Sequence, residues 1–386
     1  MTEYGQRVLY LSGPIEPPWT RTDKNLVRGV ATHLERYRPR VLTHEGVLSQ
    51  DPGVETEPAW GPRVGGHTSF GRRLGLFAKL IDMHDVALLH LFWPADRLVA
   101  SVVRAGSRLN GLPVVHTLVH PPRTTVGVGA GLVGSTIVCL SDETEQALNA
   151  EGIRNTVRIP IGIEVGQPLS AGDKAAIRRK YRIPLDLPVV VYAGDYAHDR
   201  AARTVAASMP RVLRQVDCHF VMACRIRDDD DAQEEQRIQE AIAADGLAER
   251  VTFLNEVKSL RDLLSIATVQ VFPADHHYEK MELPMVLLEG MAEGVALVVA
   301  TKPPLTELVH AGVAIGIPPA DPMGLAVPVV ELLRQPERAR AIGQAGRDLV
   351  CERFDIRKVA AQYEELYDEV LARHKVRSSG HFWGLV

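Results

Sequence analysis

No run of about eighteen consecutive apolar residues occurs in the sequence, so no bilayer-spanning helix is expected. The opening "MTEYGQRVLYLSG" carries Glu3 and Arg7 early and leaves too short an apolar run for a secretory signal. Cysteine is scarce. Cys139, Cys218, Cys224 and Cys351 stand apart, with no CxxC pair and no metal-ligand spacing. That excludes a disulfide framework and gives no sign of a metal site. Excess charge is lacking too: a net charge of -4 and a pI near 6.4 provide no general attraction to nucleic acid or anionic membrane. A cytoplasmic protein with reduced thiols is the expectation.

What is present is ordinary globular material. The chain has 386 residues, 46% hydrophobic and 24% charged, enough for two cores of similar size. Strand-like and helix-like segments alternate. "RVLYLS" is followed by the loop "GPIEPPWTRTDKN" and a helix through "LVRGVATHLERY"; "RVLTHEG" reads as a second strand. Residues 51–68, rich in Gly and Pro, read as loop, and a helical stretch near 70–83 precedes the strand "DVALLHLFW". The pattern runs on to "TVRIPIG", pauses over 164–188, and restarts at "VVVYAG". "DPMGLAVPVVELLRQPERARAIGQAGRDLVCERF" reads as helical, and "DIRKVAAQYEELYDEVLARHK" as a last amphipathic helix. Such alternation predicts an α/β protein of two doubly wound, Rossmann-like domains joined near residue 168. Ligands in these folds bind beyond the carboxyl ends of the strands, so a cleft between two sets of strand ends is the default site.

Two patterns mislead. "GAGLVG", 129–134, fits G-x-G-x-x-G, but no strand leads into it and a strand follows it, so it reads as a loop and not a dinucleotide site. "DDDD", 228–231, lies between a strand and a helix and reads as a solvated loop that caps the helix, not as a metal site.

The informative stretch is "FPADHHYEKMELPMVLLEGMAEGVALVVAT", 272–301. Pro284 suits a helix start and Gly294 a helix stop, which predicts a short helix from Met285 to Glu293. Met285, Val286, Leu287 and Leu288 point to all sides of it, so the helix should be buried, and Glu289 among them should need a partner. The alternative is a thin solvated stripe of Glu282, Glu289 and Glu293.

This stretch resembles the E-x7-E motif of glycosyltransferase family 4, nucleotide-sugar enzymes of the GT-B fold. "RIPIGIE", "VVYAGD", "RVTFLNEV", "PPLTELV" and "CERFDIRKVAAQYEELY" are similar to further family segments, and "KMELP" resembles a subgroup with K-M-D-x-P. The resemblance is strong from about residue 155 onward. It implies an acceptor-side domain over 1–168, a nucleotide-sugar-binding domain over 169–355, a helix at 356–375 crossing back to the first domain, and a tail at 376–386. It implies a donor diphosphate at the helix N-terminus, on the backbone of Leu283, Pro284, Met285 and Val286, where free N–H groups and the helix dipole favour an anion. Glu289 would then hold the donor ribose diol. The first motif glutamate falls on Met281, which cannot accept such bonds usefully; Glu282 or Glu279 would have to substitute. Arg200, Arg203 and Lys280 are the candidates to neutralise the diphosphate, each arginine having an ordinary surface charge as its alternative.

In the first domain, Gly13 would let a phosphate or sugar approach the backbone, and Lys24 is a candidate phosphate contact. Trp19 would stack on a sugar or pack its loop. The family's histidine near the reacting carbon corresponds best to His120, with His116 as the alternate and His90 a weaker one. The resemblance implies retention of configuration by a front-face mechanism, with no cofactor and no required metal. The acceptor, whether small molecule, glycan or lipid, is left open. The tail "HFWGLV" is a candidate for docking a partner or for peripheral membrane contact, a disordered end being the simpler expectation. A sugar-nucleotide epimerase, or a degenerate protein that binds nucleotide or a partner without turnover, are the rivals.

Overall fold

A computed structural model describes residues 5–19, 21–61, 85–122, 124–255, 257–275 and 282–380, the last four by backbone alone. The helix expected near 70–83 lies outside them. The chain divides into two compact units: Met1–Ile163 with Phe354–Val386 and a short segment ending at Glu282, and Glu164–His277 with Leu283–Arg353.

The first unit runs β1 (Arg7–Leu11), α1 (Thr22–Thr32), β2 (Arg38–Thr43), β3 (Glu55–Pro58), β4 (Leu88–Phe92), α2 (Arg97–Asn110), β5 (Val114–Thr117), β6 (Thr136–Cys139), α3 (Asp142–Ala150) and β7 (Thr156–Arg158). All seven strands are parallel, in the order β3-β2-β1-β4-β5-β6-β7. The central strands are apolar on both faces, as burial between helix layers demands; β4 is buried along its length. β3 corrects the reading of 51–68 as loop. It is a four-residue edge strand of "ETEP", whose charged alternate residues hide it from a hydrophobicity reading.

The second unit runs α4 (Ala171–Lys180), β8 (Val189–Gly194), α5 (Ala201–Leu213), β9 (His219–Cys224), α6 (Asp229–Ala244), β10 (Val251–Leu254), α7 (Leu260–Ser265), β11 (Val269–Phe272), α8 (Met285–Ala292), β12 (Ala296–Ala300), α9 (Thr306–His310), β13 (Ala314–Ile317), α10 (Pro322–Arg334) and α11 (Pro336–Arg353). Its parallel sheet has the order β10-β9-β8-β11-β12-β13. The long helical reading after residue 321 breaks in two at Gln335, whose ψ of 71 is set by the proline that follows it. α11 lies close on the end of α8: a Cβ at Gly343 would come 1.9 Å from the Gly294 carbonyl oxygen.

The first crossing between units falls at Ile163–Glu164, a few residues before the expected 168, and the second at Arg353–Phe354. Ile163 N–H donates to the Phe354 oxygen (2.8 Å) and Ile356 N–H to the Ile163 oxygen (2.9 Å). The last helix, α12 (Ile356–Gly380), belongs to the first unit and packs against α1. Gly162 makes room for it: a Cβ there would lie 2.6 Å from Ile356 Cδ1.

Candidate functional site

The second sheet reverses its direction of growth between β8 and β11, which lie side by side at its centre with two strands beyond each. Loops leaving the carboxyl ends of two such strands part to either side and leave a crevice. α8 follows β11 and therefore begins at that end. Leu287, Leu288 and Met291 are fully buried, and Val286 packs against the cluster of Ile183, Val189, Val191, Leu263 and Leu264. Pro284 takes the N-cap position with φ -60 and ψ 124, and among the described residues no side chain caps this helix. The Leu287 N–H turns back to the Pro284 oxygen (3.0 Å), and the N–H groups of Met285 and Val286 are left for an external acceptor.

The three glutamates around this helix have different surroundings. Glu282 is buried, belongs to the first unit, and accepts the hydroxyl of Thr144 in the first turn of α3, where the helix dipole favours a carboxylate. One of its oxygens is therefore engaged within the first unit. Glu293 is buried and paired with Arg261 Nε at 2.5 Å. Neither forms a solvated stripe. Glu289 is half-buried, and among the described residues its carboxylate has no hydrogen-bond or ion-pair partner; burial alone pushes its pKa up to about 7. Lys280, Met281 and Glu279 lie outside the described residues.

The two candidate cations among the described residues, Arg200 and Arg203, are already engaged. Arg200, an exposed residue at the N-cap of α5, bonds Asp275 through Nε (2.6 Å) and through its backbone N–H (3.3 Å). Arg203 forms a fork on the buried Glu234 of α6. Both line an open cavity of about 460 Å³ with Tyr196, His198, Gln233 and Asp275. Asp275 gave no sequence signal beyond its place after a strand. The "DDDD" run divides: Asp228 caps α6 as expected, whereas Asp231 is fully buried, not solvated. Asp231 accepts the N–H of Ala197 (3.0 Å) and the Nε–H of Arg227 (2.9 Å), so it ties the loop after β8 to α6. Arg227 holds its carboxyl below the usual range despite burial. Among the described residues no group of three His, Cys, Asp or Glu side chains stands ready for a metal.

In the first unit, Gly13 follows β1 and a Cβ there would meet nothing within 4 Å, so packing does not require glycine; close approach of a ligand would. Lys24 Nζ donates to the Glu16 carbonyl (3.1 Å), and Glu16 itself is buried on His44. Trp19 packs its loop: the Arg28 guanidinium lies 4.3 Å over its ring and forks onto Asp51. His116 is buried, with Nε2 3.0 Å from the Trp93 carbonyl and Nδ1 accepting the Val133 N–H at 3.3 Å. Both ring nitrogens are occupied by backbone, and burial lowers its pKa to about 4. His90 is fully buried between Tyr367 and Thr117. His120 differs. It is half-buried beyond the end of β5, and its buried Nδ1 has no partner among the described residues. The loop containing "GAGLVG" is a single 3₁₀ turn whose Gly131 packs on the N-cap of α2, where a Cβ would sit 2.9 Å from Asp96 N. No helix opens within it.

Residues 187–335 match the model of the family described as "Glycosyl transferases group 1". The N-acetyl-alpha-D-glucosaminyl L-malate synthase of Bacillus anthracis is 23% identical over 204 residues, 53% of this chain and 51% of the relative, so that match spans about half the relative's length. The alpha-maltose-1-phosphate synthase of Mycolicibacterium smegmatis is 24% identical over 336 residues, 84% of each chain. Among solved structures, a Rickettsia africae glycosyltransferase superposes with TM-score 0.78 at 16% identity, covering 95% of this chain and 99% of its own. Anabaena HepE, solved in complex with UDP-glucose, gives TM-score 0.75 at 16% identity, covering 94% and 99%. The chain thus shares the GT-B fold of these glycosyltransferase structures over 95% of its length, and over residues 187–335 its sequence is similar to the group 1 glycosyl transferases.

Proposed function

We propose that the protein transfers a sugar from a nucleotide-sugar donor to an acceptor hydroxyl, with Glu289 receiving the donor ribose diol. The observation that carries this is the Glu289 carboxylate, half-buried, without a described partner and raised to about pKa 7. Two hydroxyl donors would stabilise its charged form and remove the cost of burial. The uncapped first turn of α8 lies three residues upstream, and an anion such as a diphosphate fits its N–H groups and dipole. The names of two relatives, both synthases of glycosyl compounds, and the UDP-glucose in Anabaena HepE support the same reading.

For the transfer itself we infer retention by a front-face route, in which the departing diphosphate oxygen takes the acceptor proton as the new glycosidic bond forms on the same face. The protein would contribute position and charge stabilisation, through the α8 N-terminus and through His120 near the reacting carbon. No metal or cofactor enters this scheme, and a cytoplasmic location suits it.

A second reading has one observation in its favour. Arg200 and Arg203 are each bound to a carboxylate, which leaves neither dedicated to a leaving group. A nucleotide-binding protein without turnover would look like this. Thermal shift with UDP-, GDP-, ADP- and dTDP-sugars tests both. A donor at a hundred times its Kd adds about 2.7 kcal/mol of stability. Stabilisation by one nucleotide class that Glu289→Ala abolishes supports the donor site, and release of free nucleotide diphosphate on adding acceptor supports transfer. No response to any of the four sinks the donor-site reading.

A further inference from the structure

Strand β11 reads Val269, Gln270, Val271, Phe272, and its glutamine is completely buried. A carboxamide inside a parallel sheet is costly unless bonded, and leucine would fill the same volume without that cost. Packing alone therefore gives no reason for glutamine. Its Nε2 donates to the carbonyl of Val286, at 3.0 Å, in the first turn of α8. Its Oε1 is buried without a hydrogen-bond partner among the described residues and is aimed at Gly290, where a Cβ would lie 1.8 Å from it. The amide cannot be reversed, since that would set Oε1 against the Val286 oxygen. The side chain thus bonds one turn of α8 at Val286 and abuts its far end at Gly290. Glu289 is part of that turn.

We infer that Gln270 is a positioning residue for the donor site: by holding the turn 286–290 against β11, it fixes where the Glu289 carboxylate and the uncapped N–H groups of α8 stand. Gly290 is its counterpart, small because the carboxamide occupies the space beside it. The inference rests on the proposed role of Glu289 in donor binding.

The test is titration calorimetry of the full chain with UDP, GDP, ADP and dTDP, for wild type, Glu289→Gln, Gln270→Leu and Gln270→Glu, alongside melting of each without ligand. Gln270→Leu is expected to melt at or above the wild-type temperature, because an unpartnered buried oxygen is gone, yet to bind the preferred nucleotide about tenfold more weakly. A purely structural glutamine would give the reverse, lower melting with unchanged affinity. Gln270→Glu supplies a conservative rescue. Its carboxyl can donate to the Val286 oxygen only when protonated, so its affinity relative to wild type should recover at pH 5.5 and fall at pH 8.5. If wild type binds, Glu289→Gln loses binding and Gln270→Leu stays within twofold of wild type, the positioning role is overturned and the donor site stands. If wild type binds none of the four nucleotides, the donor site falls and the positioning role with it.

Discussion

The hydroxyl of Tyr367 lies 2.6 Å from Nδ1 of His90, joining the last helix of the chain to a central strand 277 positions earlier. The same hydroxyl is 3.0 Å from that of Tyr10 in β1, and His90 Nε2 is 2.7 Å from Thr117 in β5. All of these groups are buried. The helix is thus bound to the first sheet by a polar cluster as well as by apolar contact, and each member depends on the others for its partners. Tyr367→Phe keeps the ring and removes the shared hydroxyl. It should cost about 1–3 kcal/mol, read as a lower urea midpoint, because it leaves Nδ1 of His90 and the Tyr10 hydroxyl without this partner in the core. Tyr363→Phe, which gives up only the longer 3.3 Å contact with Thr117, should cost less.

Acid should destabilise the protein through its buried histidines. Burial lowers His116 and His219 to about 4 from 6.5, and His90 well below 6.5. Between pH 6.5 and 4 the unfolded chain binds protons at these sites and the folded chain does not, so stability falls as pH falls through that window. Melting temperature measured from pH 7 to pH 4.5 should drop steadily, and His219→Gln should flatten part of the slope.

Glu289 has the opposite sign. Its carboxyl is raised from 4.5 to about 7, so between those values the folded state holds a proton that the unfolded state has lost. Stability declines as pH rises through that window, and the full cost stands above about 7. Glu289→Gln should therefore raise the melting temperature of the ligand-free protein at pH 8, by on the order of 1–2 kcal/mol in stability, and leave it unchanged near pH 4. The same variant should lose its response to nucleotide sugar. A gain in stability coupled to a loss of binding is the mark of a charge held in place for a ligand.

The alternation of strands and helices was legible because parallel strands buried on both faces are continuous apolar runs, and β4, β8 and β12 are of that kind. β3 was not legible, because an edge strand with glutamates needs only a neighbour's hydrogen bonds. At the site, Glu289 stood out by lying within an apolar helix. Glu282 and Glu293 looked the same in the sequence, and only their tertiary partners Thr144 and Arg261 distinguish them. The pairing of Arg200 and Arg203 left no trace in the sequence, because their acids, Asp275 and Glu234, are 75 and 31 residues away. Gln270 did leave a trace, one amide in "VQVFPA", but a buried amide acquires meaning only when its acceptor is known.

His116 and His120 offer the sharpest separation of structure from chemistry. Four residues apart and alike in sequence, they differ in what holds their ring nitrogens. Removing the His116 ring would orphan the Val133 N–H and the Trp93 carbonyl and open a cavity beside β5. His116→Ala should thus cost about 2–4 kcal/mol of stability and lose activity only through unfolding. Removing the His120 ring breaks no described hydrogen bond, so His120→Ala should melt within about 1 kcal/mol of wild type. If His120 stands beside the reacting carbon, its turnover should fall by about a hundredfold or more with nucleotide affinity retained. Steady-state rates at saturating donor, measured beside urea curves for both variants, decide between them. A His120→Ala protein that turns over at the wild-type rate would remove this residue from the chemistry.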